Sequence, residues 1–162
     1  MSPGQSWSWD EIASSGHLLI QSLASQGAGT ILGAALDGDG DRCLFVRETD
    51  DGIEVVDGDD MADAILRACP QSWKVAASIE SNMQGFETAV GDRWLSHALA
   101  PYLHTSLQQP LLFGIEDSGH IVLPSPHPHQ ENEWSLVGDG AMTLLLSLLA
   151  FQHVDATSME KG

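Results

Sequence analysis

The sequence predicts an α/β fold, and three observations carry that expectation. A helical stretch from about Glu11 to Ala24 gives way to turn residues Ser25-Gln26-Gly27-Ala28-Gly29, after which an apolar strand starts at Ile31. Short apolar runs then recur at 43–46, 53–56, 73–79, 111–113 and 121–123, each bounded by Gly, Pro or acidic residues. Helix-length segments with recognisable starts and stops lie between them, so helices and strands must pack in layers. Pro70-Gln71-Ser72 interrupts the pattern and divides the chain into two small units, residues 1–70 and 71–162.

In chain order, Ser6-Trp7-Ser8-Trp9-Asp10 reads as a loose start, and Ile12, Leu19 and Leu23 as buried positions of the first helix. Residues 43–47 pair with 53–56 as a hairpin across Glu48 to Gly52. Asp57-Gly58-Asp59-Asp60 supplies an N-cap and negative charge at the start of a helix from Met61 to about Cys69, which Pro70 ends. Trp73 to Ile79 is strand-like, a helix starts at Asp92 or Trp94 and ends near Leu99, and Pro101 follows. Leu111-Leu112-Phe113 and Ile121-Val122-Leu123 are further strands. Pro124 to Glu133, with His127 and His129, reads as a polar loop. The segment Ala141 to Phe151 is so apolar that it must be packed on most sides, and the tail from Asp155 is expected to fray.

Composition narrows the partners. The 162 residues are 43% hydrophobic, with 23 acidic against six basic side chains and a formal net charge of −17. Such a surface repels nucleic acid and anionic membrane. No apolar run is long enough to span a bilayer, and Met1-Ser2-Pro3-Gly4-Gln5 does not read as a secretory leader. Cys43 and Cys69 read as reduced thiols rather than a disulfide framework, so the expected compartment is the cytoplasm.

Between Ile31–Leu36 and Cys43–Val46 lies Asp37-Gly38-Asp39-Gly40-Asp41-Arg42. Gathering three carboxylates costs Coulomb repulsion unless a hard cation takes their oxygens. The intervening glycines let the backbone turn all three toward one point. This is the pattern of a Mg²⁺ loop with Asp37, Asp39 and Asp41 as ligands, and Arg42 is placed to meet a phosphate. A solvated Asp/Gly hairpin turn is one alternative. A calcium loop of the EF-hand kind is another: Glu48 falls twelfth, but Arg42 stands where glycine is required, and the preceding segment is a strand.

Four stretches, in order, resemble the α-D-phosphohexomutase superfamily of phosphoglucomutases, phosphomannomutases and phosphoglucosamine mutases. Asp37 to Arg42 is similar to its metal-binding loop, and Gly91-Asp92-Arg93 to its V-G-D-R stretch. Gly114-Ile115-Glu116-Asp117-Ser118-Gly119-His120 resembles its sugar-binding G-G-E-x-S-G-H loop, with Ile115 replacing the second glycine. Gly138-Asp139-Gly140 matches the D-G that opens the following helix. The resemblance implies α/β/α-type units with mixed sheets, residues 1–70 forming part of the family's domain two and 71–162 its domain three. It implies Mg²⁺ as cofactor, held by Asp37, Asp39 and Asp41, and a hexose phosphate as substrate. Arg42 and His120 would be catalytic, His120 as a proton shuttle; Glu116, Ser118, Asp92 and Arg93 would bind substrate.

The departures limit this. No Thr-Ala-Ser-His-Asn-Pro-like phosphoserine stretch and no Arg-x-Ser-Gly-Thr-Glu-Pro-like phosphate loop occurs. Only 36 residues precede Asp37, so the first unit is expected to be incomplete, and the segment from Ile79 to Val90 is too short for the helix usual there. The expectation is part of a phosphohexomutase, inactive by itself. A non-catalytic Mg²⁺ or sugar-phosphate-binding module, or a subunit completed by a chain supplying the missing domains, competes with it, as does a calcium-binding structural module. An uncovered sheet edge and apolar face predict self-association.

Overall fold

The computed structural model describes residues 4–15, 27–69, 71–103, 111–127 and 133–159, without the side chains of 15 and 155–159. The first sheet comprises β1 (Ser6–Ser8), β2 (Ile31–Leu36), β3 (Cys43–Glu48) and β4 (Gly52–Val56) in the order β1-β4-β3-β2. Its pairings are all antiparallel among the described residues, where mixed sheets were expected. The hairpin is as the sequence predicts, with Phe45 opposite Val56 and Glu48 opposite Ile53. Side chains alternate across the sheet: Cys43, Phe45 and Val56 join one apolar cluster, while Val46 and Ile53 join another.

The stretch read as a loose start is instead the edge strand β1. Trp7 packs with Ile12, Val46 and Ile53, and the apolar surface of an indole is reason enough to hold the segment down. Helix α1 (Trp9–Ser15) starts in a capping box: Ser8 N–H donates to Glu11 Oε2 at 2.8 Å, and Glu11 N–H to Ser8 Oγ at 3.4 Å. Ile12 is buried as expected, and Leu19 and Leu23 lie outside the described residues.

Helix α2 (Gly58–Ala68) begins earlier than Met61. Asp57 caps it by accepting the Asp60 N–H at 3.1 Å, so the acidic run forms the first turn.

The second sheet is mixed. Strands β5 (Trp73–Ser78), β6 (Phe86–Thr88), β7 (Leu111–Ile115), β8 (Ile121–Pro126) and β9 (Trp134–Gly138) lie in the order β6-β5-β7-β8-β9. β5 is parallel to both β6 and β7; β7-β8 and β8-β9 are antiparallel. β6 and β9 are strands that the sequence pattern does not reveal. β8 runs through Pro124 and Pro126, where a loop was expected. It pairs with β7 only through Ile121 and Val122, and proline is tolerated where a strand has left one neighbour. His127 follows the strand, and His129 lies outside the described residues. No helix occurs between Ile79 and Val90, in line with its short length.

Helix α3 (Asp92–Leu99) covers one face of this sheet, Leu95 and Leu99 meeting Ala76, Leu112 and Val122. The other face (Ala77, Phe113, Ile115, Ile121) packs under α2 and α4 (Gly140–Met159), in a cluster that also holds Cys43, Phe45 and Val56. One apolar core therefore runs across residue 70.

Two expectations for α4 need correction. It continues past Asp155, and it is not packed on most sides. It buries Thr143, Ser147 and Ala150, yet leaves Met142, Leu145 and Leu149 at 47%, 57% and 63% exposure. α4 packs closely on α2, and while Leu144, Leu146, Leu148 and Phe151 meet the core, Met142, Leu145 and Leu149 face outward.

Candidate functional site

The Asp loop joins β2 to β3, and its folding follows from its composition. Gly40 adopts φ +78°, a conformation that a side chain disfavours. Asp37 Oδ1 accepts the N–H groups of Gly40 at 3.1 Å and Arg42 at 3.3 Å, an Asx-type closure of the turn. One ligand atom from each of Asp37, Asp39 and Asp41 can lie within 4.8 Å of the others. Arg42 Nε stands 3.8 Å from Asp37 Oδ2 and 3.9 Å from Asp41 Oδ1, so the guanidinium offsets part of the loop's own charge. Glu48 lies at the far end of β3, where its carboxylate accepts the Gly27 N–H at 3.3 Å. It is not beside the three aspartates as a twelfth ligand would be.

The carboxylates do not titrate alike. Desolvation pushes Asp41 up, and the neighbouring Asp37 and Asp39 push it further, against a downward pull from His120. Desolvation also acts upward on Asp37, but the Arg42 N–H, the Asp41 side chain, the Gly40 N–H and the Arg42 cation together hold it below its ordinary value. Asp41 Oδ1 is buried without a hydrogen-bond partner. A site of hard oxygen donors with one buried orphan suits a divalent cation such as Mg²⁺.

The second turn, Glu116 to His120, joins β7 to β8. Glu116 N–H donates to His120 O at 3.0 Å and Gly119 N–H to Glu116 O at 3.1 Å, with Gly119 at φ +86°. The two turns meet directly: Arg42 and His120 form an antiparallel bridge, and Cys43 N–H donates to Gly119 O at 3.1 Å. His120 is 3% exposed, with Nδ1 3.7 Å from Asp41 Oδ2 and Nε2 unpartnered. Glu116 is 1% exposed; its Oε1 accepts the Gly91 N–H and its Oε2 the Ser118 hydroxyl at 3.3 Å. Asp92 and Arg93 start α3 on the exposed side of that Gly91 contact, and Arg93 lies 5.3 Å from the Trp94 ring centre. Arg42 and His120 thus stand beside the aspartates; Glu116 and Ser118 lie in the turn that His120 ends, and Asp92 and Arg93 are tied to that turn through Gly91.

Three supports had no assigned role in the sequence. Gly58 N–H donates to Asp117 O at 2.9 Å, seating the start of α2 on the second turn. Asp59 accepts from the Ser81 hydroxyl and, at 2.6 Å, the Asn82 N–H, which pins the loop after β5. Gly140 N–H donates to Gly40 O at 2.9 Å, joining the start of α4 to the Asp loop. The glycines at helix starts were the available signal, but their partners are distant in sequence.

Strands layered between helices, with a carboxylate loop closing on a buried turn, define an α/β/α protein with a candidate cation centre. Residues 54–161 match the family described as phosphoglucomutase/phosphomannomutase, alpha/beta/alpha domain III, and the chain belongs to this family, within the α-D-phosphohexomutase superfamily.

Among its relatives, the phosphoglucosamine mutase of Bordetella pertussis is 33% identical over 161 residues, covering 90% of this chain and 32% of that protein. The phosphoglucosamine mutase of Nitrobacter winogradskyi is 33% identical over 137 residues, covering 76% and 27%. The fold is similar to that of Aspergillus fumigatus N-acetylphosphoglucosamine mutase, solved in complex with GlcNAc-6P and magnesium. The TM-score is 0.51 at 18% identity, over 88% of this chain and 37% of that one. The chain spans about a quarter to a third of the length of the curated relatives it matches.

Proposed function

We propose that this chain carries the cation loop and the sugar-recognition turn of a phosphohexomutase, an isomerase that moves a phosphoryl group within a hexose phosphate. The direct joining of the two turns through Arg42 and His120 is the observation that supports this most. Asp37, Asp39 and Asp41 would hold Mg²⁺, which supplies positive charge to a transferring phosphoryl group. Arg42 adds a second, half-exposed cation on the same side. His120, buried against Asp41, is positioned to hold a proton at Nδ1 or Nε2. Ser118 offers a hydroxyl to a sugar, and Glu116 orients that hydroxyl while it anchors the Gly91 turn that carries Asp92 and Arg93. The names of the relatives make an amino-sugar phosphate the first ligand to test.

The chain's own role is narrower than the family's. No phosphoserine stretch and no phosphate loop occur among its residues, so it binds Mg²⁺ weakly and does not turn over a hexose phosphate alone. The parts that carry them, in the same protein or on another chain, would complete it. The reduced cysteines support a cytoplasmic setting, and no helix among the described residues is long and apolar enough to cross a membrane.

Calorimetric titration tests the proposal. Mg²⁺ binding that Asp39→Ala abolishes supports it, whereas tight Ca²⁺ binding with no Mg²⁺ response refutes it. Conversion of glucose 1-phosphate by the purified chain in a coupled assay would overturn the statement that it is inactive alone.

A further inference from the structure

The Gly138-Asp139-Gly140 stretch touches both turns at once, and the cation reading leaves it without a task. Gly140 N–H donates to Gly40 O, inside the Asp loop. A Cβ on Gly140 would stand 2.7 Å from both Gly40 O and Arg42 O, and these are backbone atoms that cannot swing aside. On the other side, a Cβ on Gly138 would overlap the His120 ring at Nε2. Neither glycine has a left-handed φ, so the backbone conformation does not demand glycine at either position. At the start of a helix, alanine is the better helix former by ordinary propensity. Clearance for the neighbouring loops is therefore the reason for glycine here. Asp139, between them, does separate work: its Oδ1 accepts the Met142 N–H at 2.9 Å and caps α4.

We infer that Gly138 and Gly140 are positioning residues, a clasp that sets how far the three aspartates stand from His120. Gly140 holds the Asp loop by its amide and by the absence of a side chain. Gly138 leaves the space in which the imidazole lies against Asp41. The inference rests on the reading that Asp37, Asp39 and Asp41 hold a divalent cation.

The test uses the whole chain and Mg²⁺ alone. Gly140→Ala should raise the Mg²⁺ dissociation constant at least tenfold. Asp139→Ala should lower the unfolding midpoint yet leave that constant within about threefold. Equal weakening by both variants would mean that only the helix start matters, and would overturn the clasp.

A measurement on the unaltered chain covers the case in which Gly140→Ala does not fold. Mg²⁺ should slow hydrogen exchange at the Gly140 amide, which bonds to the loop, more than at the Thr143 amide, which bonds to Asp139 O within the helix. Equal slowing, or none when Mg²⁺ binds, overturns the clasp. If the unaltered chain binds no Mg²⁺, the cation reading falls, and exchange in the ion-free chain decides the clasp separately. Gly138→Ala or Gly140→Ala must then speed exchange at the Arg42 and Cys43 amides, and unchanged exchange at both overturns it.

Discussion

The two turns of the site, Asp37 to Arg42 and Glu116 to His120, share a geometry and differ in how their polar groups are served. Each joins antiparallel strands, each contains a left-handed glycine, and the two meet edge to edge. In the second turn the Glu116 carboxylate is buried and both of its oxygens accept protein hydrogens. In the first, three carboxylates converge and one buried oxygen of Asp41 accepts no hydrogen bond. The Glu116 carboxylate is fully served by the protein, whereas Asp41 Oδ1 in the first turn and His120 Nε2 at the end of the second are buried without a hydrogen-bond partner. Removing the acceptor at Glu116 should cost stability, and removing a carboxylate from the Asp loop should cost cation binding.

Gly119→Ala should have the largest effect on folding. It forces a side chain into φ +86° and drives its Cβ into Cys43 O, the atom next to the bond that joins the turns. Strain and displacement together should cost about 3 kcal/mol in urea unfolding. A cost below about 1 kcal/mol would mean that the joint is loose.

Glu116→Leu should come next, because it leaves the half-buried Gly91 N–H without its acceptor. A loss of about 1–3 kcal/mol is expected. Glu116→Gln, which keeps a carbonyl oxygen, should recover most of it, and an equal loss in both variants would show that the Gly91 contact contributes little.

Asp41→Asn should act in the opposite sense, stabilising the ion-free chain by less than about 1 kcal/mol while weakening Mg²⁺ binding. Its pH dependence has a definite sign. A carboxyl raised in the folded state binds its proton more tightly there, so its contribution to stability is greatest at low pH and falls as pH rises through the carboxylate range. Asp37, held low, contributes the reverse, stability that is lost as pH falls. Asp41→Asn should therefore flatten the decline with rising pH in unfolding curves without Mg²⁺, and a steeper decline would contradict the pairing of these carboxyls.

The smallest effect on folding should come from the surface that belongs to neither turn. Leu145→Gln with Leu149→Gln should change stability by no more than about 0.5 kcal/mol. It should reduce self-association in sedimentation velocity; association unchanged by the pair would place the contact elsewhere.

Much of the site was legible because its chemistry is local. The Asp loop closes through bonds between residues three and five apart, and the Asp57 cap spans three positions. The α/β class followed from apolar runs set between helices. The misses have one cause. β6 has only three residues, β9 alternates too weakly to stand out, and β1 is a strand only because β4 lies beside it. For α4, the apolar run gave the helix but not its orientation. Its buried residues include the small Thr143, Ser147 and Ala150, and only the tertiary packing selects them over the neighbouring leucines.

The sequence alone determined which groups could bind a cation, where helices could start, and which runs could be buried, since each depends on residue chemistry within a few positions. Tertiary structure alone decided that Gly140 reaches Gly40 and Glu116 reaches Gly91, contacts between residues 100 and 25 positions apart. No local propensity encodes such pairs. They form when one shared core draws the ends of distant strands and helices to the same edge of the molecule.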